Sequence, residues 1–286
     1  MSSGYIYLRA RYYAPETGRF ISEDSYTGEI ADPLSLNMYT YCEGDSVNGV
    51  DPSGHETVEL SGYYGEEYFV PIWDGKTLYY GGDQAWYSDE WKQYRGCAPV
   101  AVANVLAYLA INHYKYRKLY KYGRYYNSKF SHSFLKKSEF VKHMDETWNY
   151  VTPGVAGFWE MPFFVRGIID MAKDRGVTIT AHYASTKYNW RTYVATFDKV
   201  VQYVKNGLKK NSPVVLMMWF NDSIPEFQNH WMTITKIDDN RSSDGSGFVS
   251  VRISTWSSST NRPVQWIIND FSKIMDAAKW SLMYFT

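Results

Sequence analysis

The chain has 286 residues, and its 30 Lys or Arg balance 30 Asp or Glu to a formal net charge of zero. The overall charge therefore gives no sign of a nucleic-acid partner. Hydrophobic residues make up 45% and aromatic residues 18%, including 27 Tyr and 11 Trp, which is enough to bury a sizeable core.

Two cysteines, Cys42 and Cys97, fall short of a disulfide scaffold. No apolar run approaches the ~20 residues of a membrane span, and MSSGYIYLRARYY at the start lacks the apolar region of a signal peptide. The stretch from Lys115 to Arg124 holds five Lys or Arg among tyrosines. It is the only local basic patch and reads as a solvated helix face or its continuing loop.

Residues 1–54 are rich in Tyr, Gly, Asp, Pro and Ser. Ala14-Pro15, Asp32-Pro33, Asp51-Pro52 and Ser53-Gly54 punctuate them, which predicts short strands joined by turns. The composition changes near residue 55, so two units are expected, 1–55 and 56–286. Strand-like runs follow in TVEL, EEYFVPIW and KTLYYG. CAPVAVANVLAYLAI is then apolar on all sides and rich in Ala and Leu, which predicts a buried central helix with Pro99 in its first turn.

The tyrosine-rich stretch 112–150 reads as helical in part, with Ser138 as the N-cap of SEFVKHMDETWNYV. PFFVRGIIDMAKDRG reads as an amphipathic helix ended by Gly176, and VTITAHYA as a strand. FDKVVQYVKNGLKKN has helical spacing, and Pro213 opens the strand VVLMMWF. HWMTITKID, FVSVRISTW and RPVQWII are rich in β-formers. FSKIMDAAKW reads as a last helix and SLMYF as a last strand. Helices followed by a run of strands predict an α+β fold, its helical side packed on an antiparallel sheet.

Cys97 stands between Gly96 and the buried helix. Unpaired N–H groups at a helix N-terminus favour a thiolate, so Cys97 is the candidate nucleophile. A small buried hydrophobe is the bland alternative. His230 opens an alternating strand, where an imidazole can act as general base. His113, His132 and His143 lie in the polar insert, His182 in a strand of the helical half, and His55 at the unit boundary. None has metal-ligand spacing, so neither metal nor cofactor is expected.

Two family resemblances add to these readings. YLRARYYAPETGRFISEDSYTG with LSLNMYTYCEGDSVNGVDPSGH resembles the end of an RHS repeat-associated core, closing on Asp51-Pro52-Ser53-Gly54. That resemblance implies an upstream RHS shell in the same polypeptide and a C-terminal effector delivered into a target cell. It also implies a cognate immunity protein and self-cleavage after Gly54 using Asp24 and Asp51. For the isolated fragment, turn-capping roles for both aspartates are the alternative.

GCAPVAVANVLAYLA, NSPVVLMMWF followed by NHWMTITKI, and ISTWSSS resemble papain-like peptidases of the C39-like group. The resemblance implies a papain-like fold, a cysteine peptidase, and a protein or peptide substrate with no nucleic acid. By position, Gln93 becomes the oxyanion donor and Ser254 stands where the family often has an Asn or Asp that orients the histidine. Trp256 would cover that pair. The same Cys–His site also suits a deamidase or transglutaminase-like acyl transferase, and a non-catalytic binding module is a further alternative.

Overall fold

The structure, a computed structural model, describes residues 4–8, 11–22, 39, 56–60, 69–127, 132–151, 161–185, 196–241, 247–256 and 263–286. Asp24, Cys42, Asp51 and His55 lie outside the described residues. Three short strands come first: β1 (Ile6–Leu8), β2 (Arg11–Ala14) and β3 (Arg19–Phe20), paired in that order. Gly18, at φ +67°, makes the turn between β2 and β3, a conformation that a side chain would strain.

The chain continues through β4 (Glu56–Glu59), β5 (Pro71–Trp73), β6 (Leu78–Tyr80), α1 (Glu90–Arg95) and α2 (Cys97–Asn112). A 3-10 segment (Tyr114–Leu119), β7 (Tyr125–Asn127), β8 (His132–Lys136), α3 (Lys137–Tyr150) and α4 (Met161–Asp174) follow. Then come β9 (Ala181–Ser185), α5 (Phe197–Lys209), β10 (Val214–Trp219), β11 (His230–Asp239), β12 (Val249–Trp256), β13 (Pro263–Ile268) and β14 (Lys279–Phe285).

The main sheet runs β13-β12-β11-β10-β14-β9, with β4 paired to the far end of β11. Each of these pairs is antiparallel, so the α+β class expected from the sequence holds. A smaller sheet, β6-β5-β8-β7, carries the insert that follows α2.

Helix α2 is the pivot of the packing, and every residue from Ala98 to Leu109 is buried. Val100, Ala103, Ala107 and Tyr108 enter one core cluster, whereas Ala101, Val102, Val105, Leu106 and Leu109 enter another. Strand β10 alternates to match, sending Val214, Leu216 and Met218 to the first cluster and Val215 and Met217 to the second. That is the two-residue period of a strand covered on both faces. Each fully buried Val or Leu contributes ~1.5–3 kcal/mol relative to exposure, so a helix apolar all round stabilises strongly once both sides are covered.

Local signals yield to pairing in three places. Ser138 does not cap α3, because β8 pairs with β5 and β7 up to Lys136 and the helix starts directly at Lys137. FSKIMDAAKW is no α-helix. Phe271–Asp276 form a 3-10 segment capped by Asp270, and Lys279 already belongs to β14 between β10 and β9. Sheet pairing outweighs the helical spacing there. The strand expected in VTITAHYA begins only at Ala181.

Buried polar groups tie these layers together. Lys205 of α5 meets Asp239 at the end of β11, Nζ–Oδ2 3.1 Å, both side chains 3% exposed. The Arg241 guanidinium closes on the same carboxylate, with Nε–Oδ1 2.8 Å. In the insert, His143 Nε2 lies 3.2 Å from the Ala103 carbonyl of α2, and Nδ1 lies 3.5 Å from the Arg175 guanidinium. A carbonyl only accepts and a guanidinium only donates, which assigns the proton to Nε2. Arg175 also donates to Glu146 at 2.7 Å, and Glu146 accepts from Tyr122 at 2.6 Å. Burial, aided by Arg175 and opposed by the Ala103 contact, lowers His143 to about 3.

Two outcomes follow from this packing. The unfolded chain takes up a proton at His143 near pH 6.5, whereas the folded chain resists it down to about 3, so stability falls as pH drops through that window, at up to ~1.4 kcal/mol per pH unit from one such group. Urea midpoints measured from pH 7.5 to 4.5 should decline, and His143→Gln should flatten the decline. Separately, a Cβ on Gly167 of α4 would run into the Tyr150 carbonyl. Gly167→Ala should therefore cost about 1–3 kcal/mol in denaturant melts, despite alanine's better helix propensity.

Candidate functional site

The site is built where α1 turns into α2. Asp89 caps α1, its carboxylate accepting from the Lys92 N–H at 2.8 Å. Gly96 joins the helices, and a Cβ there would meet the Lys92 carbonyl and come within 2.7 Å of the Tyr87 ring. The glycine in front of the cysteine is thus demanded by close packing. Cys97 is the first residue of α2, and the Val100 N–H reaches back to the Gly96 carbonyl at 3.0 Å.

The backbone N–H groups of Trp231, Ala98 and Cys97 lie near the Cys97 sulfur and favour its thiolate. The Trp231 N–H belongs to the peptide that joins it to His230, so the first peptide of β11 lies against the thiol. The start of β11 thus comes close to the start of α2. Each residue keeps part of its surface exposed.

The electrostatics differ from the expectation. Burial pushes the Cys97 thiol up, against the pull of those N–H groups and of the Arg95 charge. Desolvation of the charged form outweighs the helix terminus, and the resting species is the thiol. His230 is lowered to about 4, with burial as the cause, so its imidazole is neutral at pH 7 and able to accept a proton.

Gln93 and Ser254 do not join this pair. The Gln93 side-chain amide donates to the Tyr87 carbonyl at 2.6 Å, which holds the turn before α1 and commits the donor expected for an oxyanion. Ser254 is buried and its hydroxyl donates to the Tyr80 carbonyl at 3.1 Å. It pairs across the sheet with Thr233, three residues beyond His230, a displacement of ~10 Å along the strand. Gly81 at φ +111° lets the β6 end approach, since a Cβ there would lie 3.1 Å from the Ser254 hydroxyl. Ser254 is therefore a sheet-to-hairpin tie. The Trp256 side chain lies outside the described residues.

Sequence reading missed the Trp231 N–H, because backbone groups leave no mark on residue identity. It also passed over Arg95, two residues before Cys97, whose charge acts on the thiol. That short spacing within a helix junction was the available signal.

No family model matches the chain. Among curated proteins, similarity is found to the tRNA(Glu)-specific nuclease WapA of Bacillus subtilis subsp. natto, 47% identical over 53 residues, 18% of this chain and 2% of the relative. The tRNA nuclease WapA of Bacillus subtilis and the tRNA3(Ser)-specific nuclease WapA of Bacillus spizizenii are each 45% identical over 53 residues, with the same coverage. The chain thus spans about 2% of the length of these relatives.

This finding corrects the functional expectation. The proteins sharing sequence with the chain are named as tRNA nucleases, a different reaction from thioester-mediated peptide hydrolysis, so the cysteine-peptidase reading is set aside. The exclusion of nucleic acid as a partner loses its footing for the same reason. No helix among the described residues is long and apolar enough to cross a membrane.

The resting thiol makes a direct prediction. Iodoacetamide should label Cys97 at pH 7 at least ~10-fold more slowly than free cysteine, with the rate still climbing above the usual thiol range near pH 8.5. Mass spectrometry of the Cys97 peptide reads this separately from Cys42.

Proposed function

We propose that the chain belongs to a longer toxin of the kind its RHS resemblance implies, and that it acts on tRNA, as the names of its relatives describe for them. The observation that carries this reading is the 53-residue segment, 47% identical to a nuclease named for its tRNA(Glu) specificity. The resemblance of residues 5–54 to an RHS core supports placing an effector after Gly54, delivered into a target cell and matched by an immunity protein. The unit 56–286 is the effector in this reading. A helix starting at Cys97 against a strand starting at His230 also supports a papain-like arrangement, and a fold of that kind does not fix the reaction it hosts.

The chemistry asked of the site is modest. In RNA, a 2′-oxygen can attack the adjacent phosphorus while the 5′-oxygen leaves. The neutral His230 imidazole would take the 2′-hydroxyl proton, the Arg95 guanidinium would offset charge at the phosphate, and solvent would protonate the leaving oxygen. Cys97 would hold the His230–Trp231 peptide in place through its sulfur, a positioning role.

Incubation of the full chain with total tRNA tests the proposal. Discrete fragments ending in cyclic phosphate are expected, and His230→Gln should slow their formation by ~100-fold or more. The acid limb should fall near pH 4, well below the ordinary histidine range near 6.5. Intact tRNA at stoichiometric protein overturns the reading.

A further inference from the structure

Between Glu90 and Glu139 the chain carries ten Lys or Arg and no Asp or Glu, within a sequence of zero net charge. Part of that charge is neutralised from α3, where Asp145 holds Lys92 at 2.7 Å and Glu146 holds Lys121 at 2.7 Å. Lys115, Arg117 and Lys118 make no ion pair with a described carboxylate and are exposed. They sit on the 3-10 segment after α2, whose three-residue turn buries Tyr116 and Leu119, at 3% and 0% exposure. The segment is thereby nailed to the core while its cations face out.

Aromatic rings accompany the cations. Tyr114 is 80% exposed, with the Arg117 guanidinium 4.1 Å from its ring centroid. Tyr126, on β7, is 68% exposed. Next to it on the same strand, Tyr125 has the Lys136 ammonium 3.7 Å from its ring centroid. Exposed flat rings interleaved with cations on a rigid base combine the two features that bind unpaired nucleotides, base stacking and phosphate attraction.

The geometry points to a contact face for single-stranded RNA, such as a tRNA loop or end, formed by Tyr114, Lys115, Arg117 and Lys118. This inference rests on the proposed action on tRNA and adds where the RNA is held. The face begins past the end of α2, whose 16 residues span ~24 Å from Cys97. A duplex would use the cations but leave the Tyr114 ring idle. An anionic membrane would call for exposed aliphatic residues, and here the aliphatic Leu119 is buried.

Fluorescence anisotropy with a labelled twelve-nucleotide RNA and with whole tRNA tests the face, using the full chain. Tyr114→Ala should weaken binding by ~10-fold. Replacing Lys115, Arg117 and Lys118 by Gln should flatten the log–log salt dependence by ~2. Unchanged thermal melts would confirm that these exposed changes leave the fold intact. Variants that bind like wild type overturn the inference, as does equally tight binding of wild type to phosphatidylserine vesicles or absence of RNA binding. If wild type binds RNA through this face but leaves it whole, the face stands and the cleavage reading fails. If it cleaves tRNA and the variants bind and cleave equally well, the reverse holds.

Discussion

Burial of helix α2 is the constraint on which the rest depends. From Ala98 to Leu109 the helix is buried, so it needs apolar partners around its circumference. Strands β10 and β11 meet it with alternating side chains, and α3 and α4 cover further sides. The same burial sets the chemistry at its first residue. Cys97 inherits a partly buried surrounding along with its helix-terminal N–H groups, and the desolvation is the larger effect.

That balance also bears on the ordered residues of the motif. A cysteine at a helix N-terminus, a histidine at a strand start and a serine before a tryptophan have the order of a thiol hydrolase. In three dimensions the serine ties β12 to β6, the glutamine holds a turn, and the thiol is kept protonated. The proteins that share sequence with the chain are nucleases by name. An α+β architecture by itself is compatible with many reactions.

The insert between α2 and α4 has a different character. On its buried side Tyr122, Glu146 and His143 form a network with Arg175, just past α4, that reaches the α2 backbone at Ala103. Its outer side shows rings and cations. One segment therefore anchors itself through buried polar contacts and presents charge outward, which an overall net charge of zero conceals.

The sequence alone determined the buried helix 97–112, the strands from Val214 onward and the α+β class, because apolar periodicity and β-branched content are local quantities. Only the tertiary structure decided the start of α3, the strand at Lys279 and the duties of Gln93 and Ser254, since each depends on a partner distant in the chain. The protonation of Cys97 and His230 was decided there too. A pKa is set by how much water the fold leaves around a group, and that has no signature in neighbouring residues.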